Sequence, residues 1–258
     1  MNLFDDRKIE DIAIMRIKDM YENQNPYSHP LIVCFSGGKD SIVLLELTKR
    51  TGVPYRAEYM QAFDMPSIIK FIIREYPEVK RNIKNNIFKL IEANFGFLPQ
   101  RQARYCCTDL KEMLYPEHVV LTGIRWQESN NRAKRRMVEI CNKEKTQYYL
   151  HPIIDWKDSD VWNFIKENQL PYPKEYDNGY KRIGCMFCPL TNGFERDEKL
   201  YPGIVTAIKT AIRKGHERKG KIVDVNDIYN RWKDCILGKK TIWVNDEQCI
   251  MDLMTEDM

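Results

Sequence analysis

Ser36-Gly37-Gly38-Lys39-Asp40-Ser41 lies between an apolar run at 31–35 and an amphipathic run from Ile42 to Thr48. A strand, a glycine turn and a helix start in that order make an anion site. Two glycines let the backbone turn tightly and approach a ligand with no Cβ in the way. The helix beginning near Lys39 then offers unpaired N–H groups and a partial positive charge. Ser36 and Ser41 add hydroxyls and Lys39 a full charge, so a phosphate or pyrophosphate is the expected occupant. The pattern is not a Walker A loop, which needs four residues between its first glycine and a Gly-Lys-Ser/Thr triplet. The plain alternative is a glycine turn capped by Asp40.

At 258 residues the chain can bury a sizeable core, as one domain with an appendage or as two small ones. Its formal charge of +4 is compatible with a nucleotide or nucleic-acid partner. No apolar run approaches the ~18 residues needed to span a membrane. The segment Met1 to Glu10 is charged rather than signal-like, so a cytoplasmic location is expected. In a reducing compartment, eight cysteines are better read as metal ligands or catalytic thiols than as disulfides.

Apolar residues at helical spacing across 5–22 suggest a docking helix within an N-terminal segment 1–29. Strands are expected at 31–35, 54–60, 86–91, 118–123 and 148–153, and helices at 40–51, 65–76, 105–114 and 158–168. Alternation of this kind indicates an α/β fold: a five-stranded parallel sheet with helices on both faces. In such sheets ligands gather at the carboxyl ends of strands, where the Ser36 loop lies. The nucleotide-binding domain is expected over 30–195 and a helical C-terminal appendage over 196–258. Lys209, Arg213, Lys214, Arg218, Lys219 and Lys221 make that appendage basic and a candidate nucleic-acid surface.

Cys106-Cys107 and Cys185-x-x-Cys188 form the second strong signal. Four thiolates suit zinc or an iron–sulfur cluster. Adjacent cysteines diverge and make poor partners for one zinc ion, whereas two irons of one cluster accommodate them more easily. The alternative is that Cys106 and Cys107 are ordinary small residues of a buried helix. Arg125, Ser129 and Arg132 follow a strand directly and suit a second anion, since the guanidinium fork matches oxyanions. Asp155 can be read as orienting Arg125 or the cysteine region, or as a helix cap. His151 reads as a packed histidine.

The Ser36–Ser41 loop resembles the PP-loop, Ser-Gly-Gly-x-Asp-Ser, of the ATP pyrophosphatases, which hold the β and γ phosphates while cleaving ATP to AMP and pyrophosphate. Four further blocks extend the likeness: 104–111 around the cysteine pair, Gly123-Ile124-Arg125 through Arg132, 152–156, and Tyr176 through Pro189. Together they resemble the phosphoadenosine phosphosulfate reductase family, within the adenine nucleotide α-hydrolase-like superfamily. The resemblance implies the five-stranded parallel sheet and an ATP site with Mg²⁺. In it Ser36, Gly37, Gly38 and Ser41 hold phosphate, Lys39 and Asp40 act in catalysis, and Asp40 helps to place the cation. It also implies that Cys106, Cys107, Cys185 and Cys188 hold a [4Fe–4S] cluster, with zinc as the alternative.

Two departures bear on activity. The reductases' C-terminal Glu-Cys-Gly-(Leu/Ile)-His segment has no counterpart; the chain offers only Asp234-Cys235-Ile236-Leu237-Gly238 and Gln248-Cys249-Ile250. The reductases usually carry a degenerate phosphate loop, whereas this one is complete. Both point from sulfonucleotide reduction toward cleavage of the α–β bond of ATP to adenylate an acceptor, with sulfur transfer as its purpose and a sulfur-donor protein or nucleic acid as partner. The competing expectations are a thiol-dependent reductase using Cys235 or Cys249, and a non-catalytic nucleotide- or nucleic-acid-binding protein.

Overall fold

The computed structural model describes residues 8–239. They fall into two compact units, one formed by the chain up to Lys84 together with Lys111–Gly184, the other by Asn85–Leu110 together with the chain from Cys185 onward.

The first unit is built on a six-stranded sheet of order β3-β2-β1-β4-β6-β5. Its strands are β1 (Leu31–Phe35), β2 (Tyr55–Met60), β3 (Lys80–Asn82), β4 (Val119–Leu121), β5 (Val138–Ile140) and β6 (Tyr148–Leu150). All neighbours pair in parallel except β5, which runs antiparallel to β6 at one edge. The parallel five-strand sheet expected from the sequence is therefore present, with one added edge strand. Central β1 reads Leu-Ile-Val-Cys-Phe without alternation because it is covered on both faces. Ile32 packs with Tyr115 and Val120 on one of them, and the Phe35 ring lies 4.8 Å from that of Tyr76.

Flanking helices are α1 (Ile9–Asp19), α2 (Lys39–Thr51), α3 (Pro66–Glu75) and α6 (Asp158–Glu167). α2 carries Ile42, Val43, Leu44, Leu45 and Leu47 into the core and ends at Gly52, whose φ of 73° needs a residue at ease in the left-handed region. The expected docking helix is α1: it packs on α2, burying Ala13 and Ile17. Since β2 and β4 lie on opposite sides of β1, the strand order reverses between β1 and β4. That crevice is where open α/β sheets bind ligands.

The second unit is helical, with α4 (Ile87–Ala93), α5 (Tyr105–Leu110), α7 (Phe194–Leu200), α8 (Pro202–Glu217) and α9 (Val225–Ile236). Two expectations change here. Residues 86–91 form α4 rather than a strand. Asn86 caps the helix by accepting from the Phe88 N–H at 2.8 Å, and Ile87, Leu90 and Ile91 fall on one buried face. The division expected at residue 195 also shifts, because 85–110 is committed to the C-terminal helices. α4 packs along α8 so closely that a Cβ on Gly215 would lie 2.1 Å from the Gly96 nitrogen. Trp232 of α9 donates from its ring nitrogen to the Pro99 carbonyl at 2.8 Å.

His151 follows β6 and is fully buried, its Nδ1 2.7 Å from the Thr122 hydroxyl. Its pKa is driven down to about 4, first by burial and then by Arg135. The unfolded chain, with His near 6.5, therefore binds the extra proton between pH 6.5 and 4 while the native state refuses it. Stability from this group is complete above pH 6.5 and falls as pH drops toward 4, by up to about 3 kcal/mol. Urea unfolding of the wild type and of His151→Gln across that range should give a shallower slope in the variant.

Candidate functional site

Ser36, Gly37 and Gly38 connect β1 to α2. Gly37 has φ of 72°, and a Cβ there would stand 2.8 Å from Ile72. Gly38 is the helix N-cap and has no side chain to cap with, so the first turn takes other partners: the Ser41 N–H donates to the Gly38 carbonyl at 3.0 Å. The two serines organise the turn: the Ser41 hydroxyl donates to the Gly38 carbonyl at 2.8 Å and accepts from the Ser36 N–H at 3.2 Å. The Lys39 N–H donates to the Tyr176 hydroxyl oxygen at 3.1 Å. Burial raises the Tyr176 pKa, so the phenol keeps its proton.

Behind the loop lies a ring of four charges. Lys39 Nζ is 3.2 Å from Asp40 Oδ2 and 3.0 Å from Asp158 Oδ1. Arg125 donates from Nε to Asp40 Oδ1 at 2.6 Å and from Nη2 to Asp158 Oδ1 at 2.9 Å. Lys39 and Arg125 are only 4% and 2% exposed, and the two carboxylates give each buried cation its partners. Burial pushes the Asp158 carboxyl upward, but Lys39 and Arg125 outweigh it and hold the pKa below its ordinary value.

Two cavities adjoin the ring. One, of about 230 Å³, lies at the strand-order reversal and is lined by Ser36, Gly38, Lys39, Gly123, Arg132 and Tyr176. The other, of about 570 Å³, is lined by Lys39, Arg125, Asp158, Trp162, Tyr176 and Arg182. The larger falls within the size range of small-molecule sites.

The expected arginine pair is thus divided. Arg125 is held by Asp40, Asp158 and the Trp156 carbonyl, whereas Arg132 pairs with Glu128 and lines the smaller cavity. Ser129 lines neither cavity; its hydroxyl accepts from the Arg132 N–H at 3.3 Å. Asp155 neither reaches Arg125 nor caps α6. It receives both Arg16 nitrogens at 2.8 and 2.7 Å, which lowers its pKa and ties α1 to the end of β6. The carboxylate of this segment that meets Arg125 is Asp158, three residues later. Sequence reading passed over it because an acid in a helix's first turn is already explained by the helix dipole. Tyr176 was hidden in a turn-rich connection.

The four cysteines gather in the second unit, Cys106 and Cys107 on α5 and Cys185 and Cys188 in the Cys-x-x-Cys turn. Phe187, with φ of 51°, folds that turn back on itself. Its N–H donates at 2.9 Å to Asp197 Oδ2, a fully buried carboxylate. Burial first, then Cys107, Cys185 and Cys188, push the Cys106 thiol up to about 12. A thiol whose ionisation its cysteine neighbours oppose suits a cationic iron or zinc centre, which favours the thiolate form. The donor set fits such a group in its chemistry. Among the described residues, however, no three His, Cys, Asp or Glu side chains converge on a single metal position.

Several of the basic residues of α8 and the turn after it have partners. Lys214 is 3.7 Å from Glu92, Arg213 is 3.9 Å from Glu217, and Lys219 Nζ lies 4.0 Å from the Phe95 ring centroid. Cys235 is half-buried on α9, while Cys249 lies outside the described residues. No helix among the described residues is long and apolar enough to cross a membrane.

Residues 30–191 match the family described as the phosphoadenosine phosphosulfate reductase domain. The chain belongs to that family. Among curated relatives, one uncharacterized protein of Methanocaldococcus jannaschii is 32% identical over 193 residues, 69% of this chain and 39% of its own. A second from that organism is 30% identical over 209 residues, 76% of this chain and 50% of its own. The chain therefore spans half the length or less of these two relatives. The adenosine 5'-phosphosulfate reductase of Oceanobacillus iheyensis is 29% identical over 177 residues, 63% of this chain and 72% of its own. The crystal structure of phosphoadenylyl-sulfate reductase from Candida auris matches with a TM-score of 0.49 and 16% identity, covering 69% of this chain and 93% of that one.

Gly123 joins β4 to the phosphate loop by close approach: an added Cβ would lie 2.9 Å from the Asp40 carbonyl carbon and oxygen. Backbone cannot swing aside as a side chain can. Gly123→Ala should therefore cost about 1–3 kcal/mol in chemical denaturation. Gly203→Ala, whose methyl meets nothing within 4 Å, should cost less than that.

Proposed function

We propose that this reductase-domain protein binds ATP in the Ser36–Ser41 loop and cleaves its α–β bond, transferring AMP to an acceptor that is thereby prepared for sulfur transfer. The observation that carries the reading is the intact loop at the strand-order reversal, where the N-terminus of α2 and Lys39 border a 230 Å³ cavity. In the reaction an acceptor oxygen attacks the α phosphorus. The bond from that phosphorus to the α–β bridging oxygen breaks, and pyrophosphate leaves with the electron pair. Gly38, Ser36 and Ser41 hold the departing pyrophosphate through backbone and hydroxyl donors. Lys39 neutralises the charge that accumulates on it; preorganised charge of this kind is usually the largest contribution to such chemistry. Asp40 supplies oxygen donors for the Mg²⁺ that accompanies a polyphosphate. Arg132, facing the smaller cavity, receives a second anion, and Arg125 keeps Asp40 aligned for the cation.

Cys106, Cys107, Cys185 and Cys188 would hold a [4Fe–4S] cluster, or zinc in its place. Such a cluster supplies sulfur ligation and electron-transfer chemistry when bound. Anaerobically purified protein should be brown, with a broad band near about 400 nm, and should lose it on Cys185→Ser. A colourless, zinc-containing preparation would give the four cysteines a structural role.

The likeness to adenosine 5'-phosphosulfate reductases favours a second reading, in which a thiolate attacks the sulfur of a sulfonucleotide, the sulfur–oxygen bond breaks with the nucleotide phosphate leaving, and a second thiol then displaces sulfite to form a disulfide. Cys235 is the candidate among the described residues, and Cys249 the other. Titration calorimetry separates the two. ATP with Mg²⁺ should bind, and Lys39→Met should weaken it on the order of a hundredfold. Tight binding of a sulfonucleotide with no binding of ATP would reverse the ranking, and loss of sulfite release in Cys235→Ser or Cys249→Ser would name the thiol.

A further inference from the structure

The charges behind the phosphate loop cancel. Lys39 and Arg125 bring two positive charges, and Asp40 and Asp158 two negative ones, every pair within 3.2 Å. Asp158 Oδ1 alone accepts from both cations. Its side chain is half exposed and lines the 570 Å³ cavity, so a ligand arriving at Lys39 or Arg125 from that side meets a carboxylate oxygen. An anion entering here gains the helix terminus, worth roughly half a charge, but the local side chains offer it no net attraction.

We propose that Asp158 is a specificity-determining residue that makes this loop accept polyphosphate as its divalent-cation complex and reject the same polyphosphate free of metal. The inference rests on the reading that the loop takes a polyphosphate. A free pyrophosphate would bring several negative charges against Asp158 and Asp40, which are already engaged with the only buried cations of the ring. A divalent cation arriving with the ligand gives both carboxylates a partner of their own. Lys39 Nζ is then released to donate to phosphoryl oxygens, while Arg125 stays on Asp40. Asp158 is kept ionised for this role by its two partners and by its place in the first turn of α6. Asp40 belongs to the loop and would serve any ligand there. Asp158 arrives from a different element, so it can be altered without altering the loop.

Calorimetric titration of inorganic pyrophosphate, with Mg²⁺ and with EDTA, tests this on wild type and Asp158→Asn. Asparagine keeps the shape and removes the charge. The wild type should bind pyrophosphate at least about 30-fold more weakly in EDTA, and the variant should narrow that gap to about fivefold or less, chiefly by gaining affinity in EDTA. A merely structural role would weaken both arms together. Asp158→Ser, a residue at home at a helix start, is read the same way if the asparagine variant melts below the assay temperature. An equal gap in wild type and variants, or a wild type indifferent to the metal, overturns the proposal and leaves the phosphate-loop reading standing. If wild type binds neither pyrophosphate nor ATP in either buffer, that reading falls and this inference falls with it.

Discussion

Lys39, Asp40, Arg125 and Asp158 come from three places in the chain: the start of α2, the turn after β4 and the start of α6. Their mutual pairing is what fixes these segments around the phosphate loop. Removing either carboxylate leaves the buried Lys39 and Arg125 with one partner fewer. A ring of four therefore resists any arrangement that moves one segment alone. The loop is thus held by charge as well as by its glycines.

The sheet makes the ring possible. β1 is buried on both faces and pairs with β2 on one side and β4 on the other, so its carboxyl end opens directly onto the crevice. The absence of a Cβ at Gly123 lets the β4 turn meet Asp40 backbone to backbone. That contact delivers Arg125, two residues on, to the Asp40 carboxylate. At the other end of the same region, Arg16 reaches from α1 to Asp155 and the Pro152 carbonyl, closing the N-terminal helix onto the segment that leads into α6.

Much of this was legible in the sequence, and the failures have physical causes. β1, α2 and the phosphate loop were read within a residue, because a continuous apolar run, two glycines and an amphipathic run leave little choice. Residues 86–91 were misread because Ile, Phe, Leu and Ile satisfy a strand's composition over so short a run; the capping side chain of Asn86 decided for helix. The three-residue strand at Lys80–Asn82 carries two charged residues and gives almost no apolar signal. Asp155 and Asp158 are near neighbours, and a sequence cannot say which of them faces Arg125. The helical unit that carries the four cysteines is not legible in the sequence, since packing of α4 along α8 is a contact between residues more than a hundred positions apart.

The central claim is that terminal phosphoryl groups are held at the N-terminus of α2. A crystal structure with Mg²⁺ and a non-hydrolysable ATP analogue tests it most directly. The account predicts phosphoryl oxygens about 2.7–3.2 Å from backbone nitrogens of the Ser36–Ser41 turn and from Lys39 Nζ. A nucleotide bound elsewhere, with Tyr176 still seated on the Lys39 N–H and the turn closed on its own serines, would contradict it.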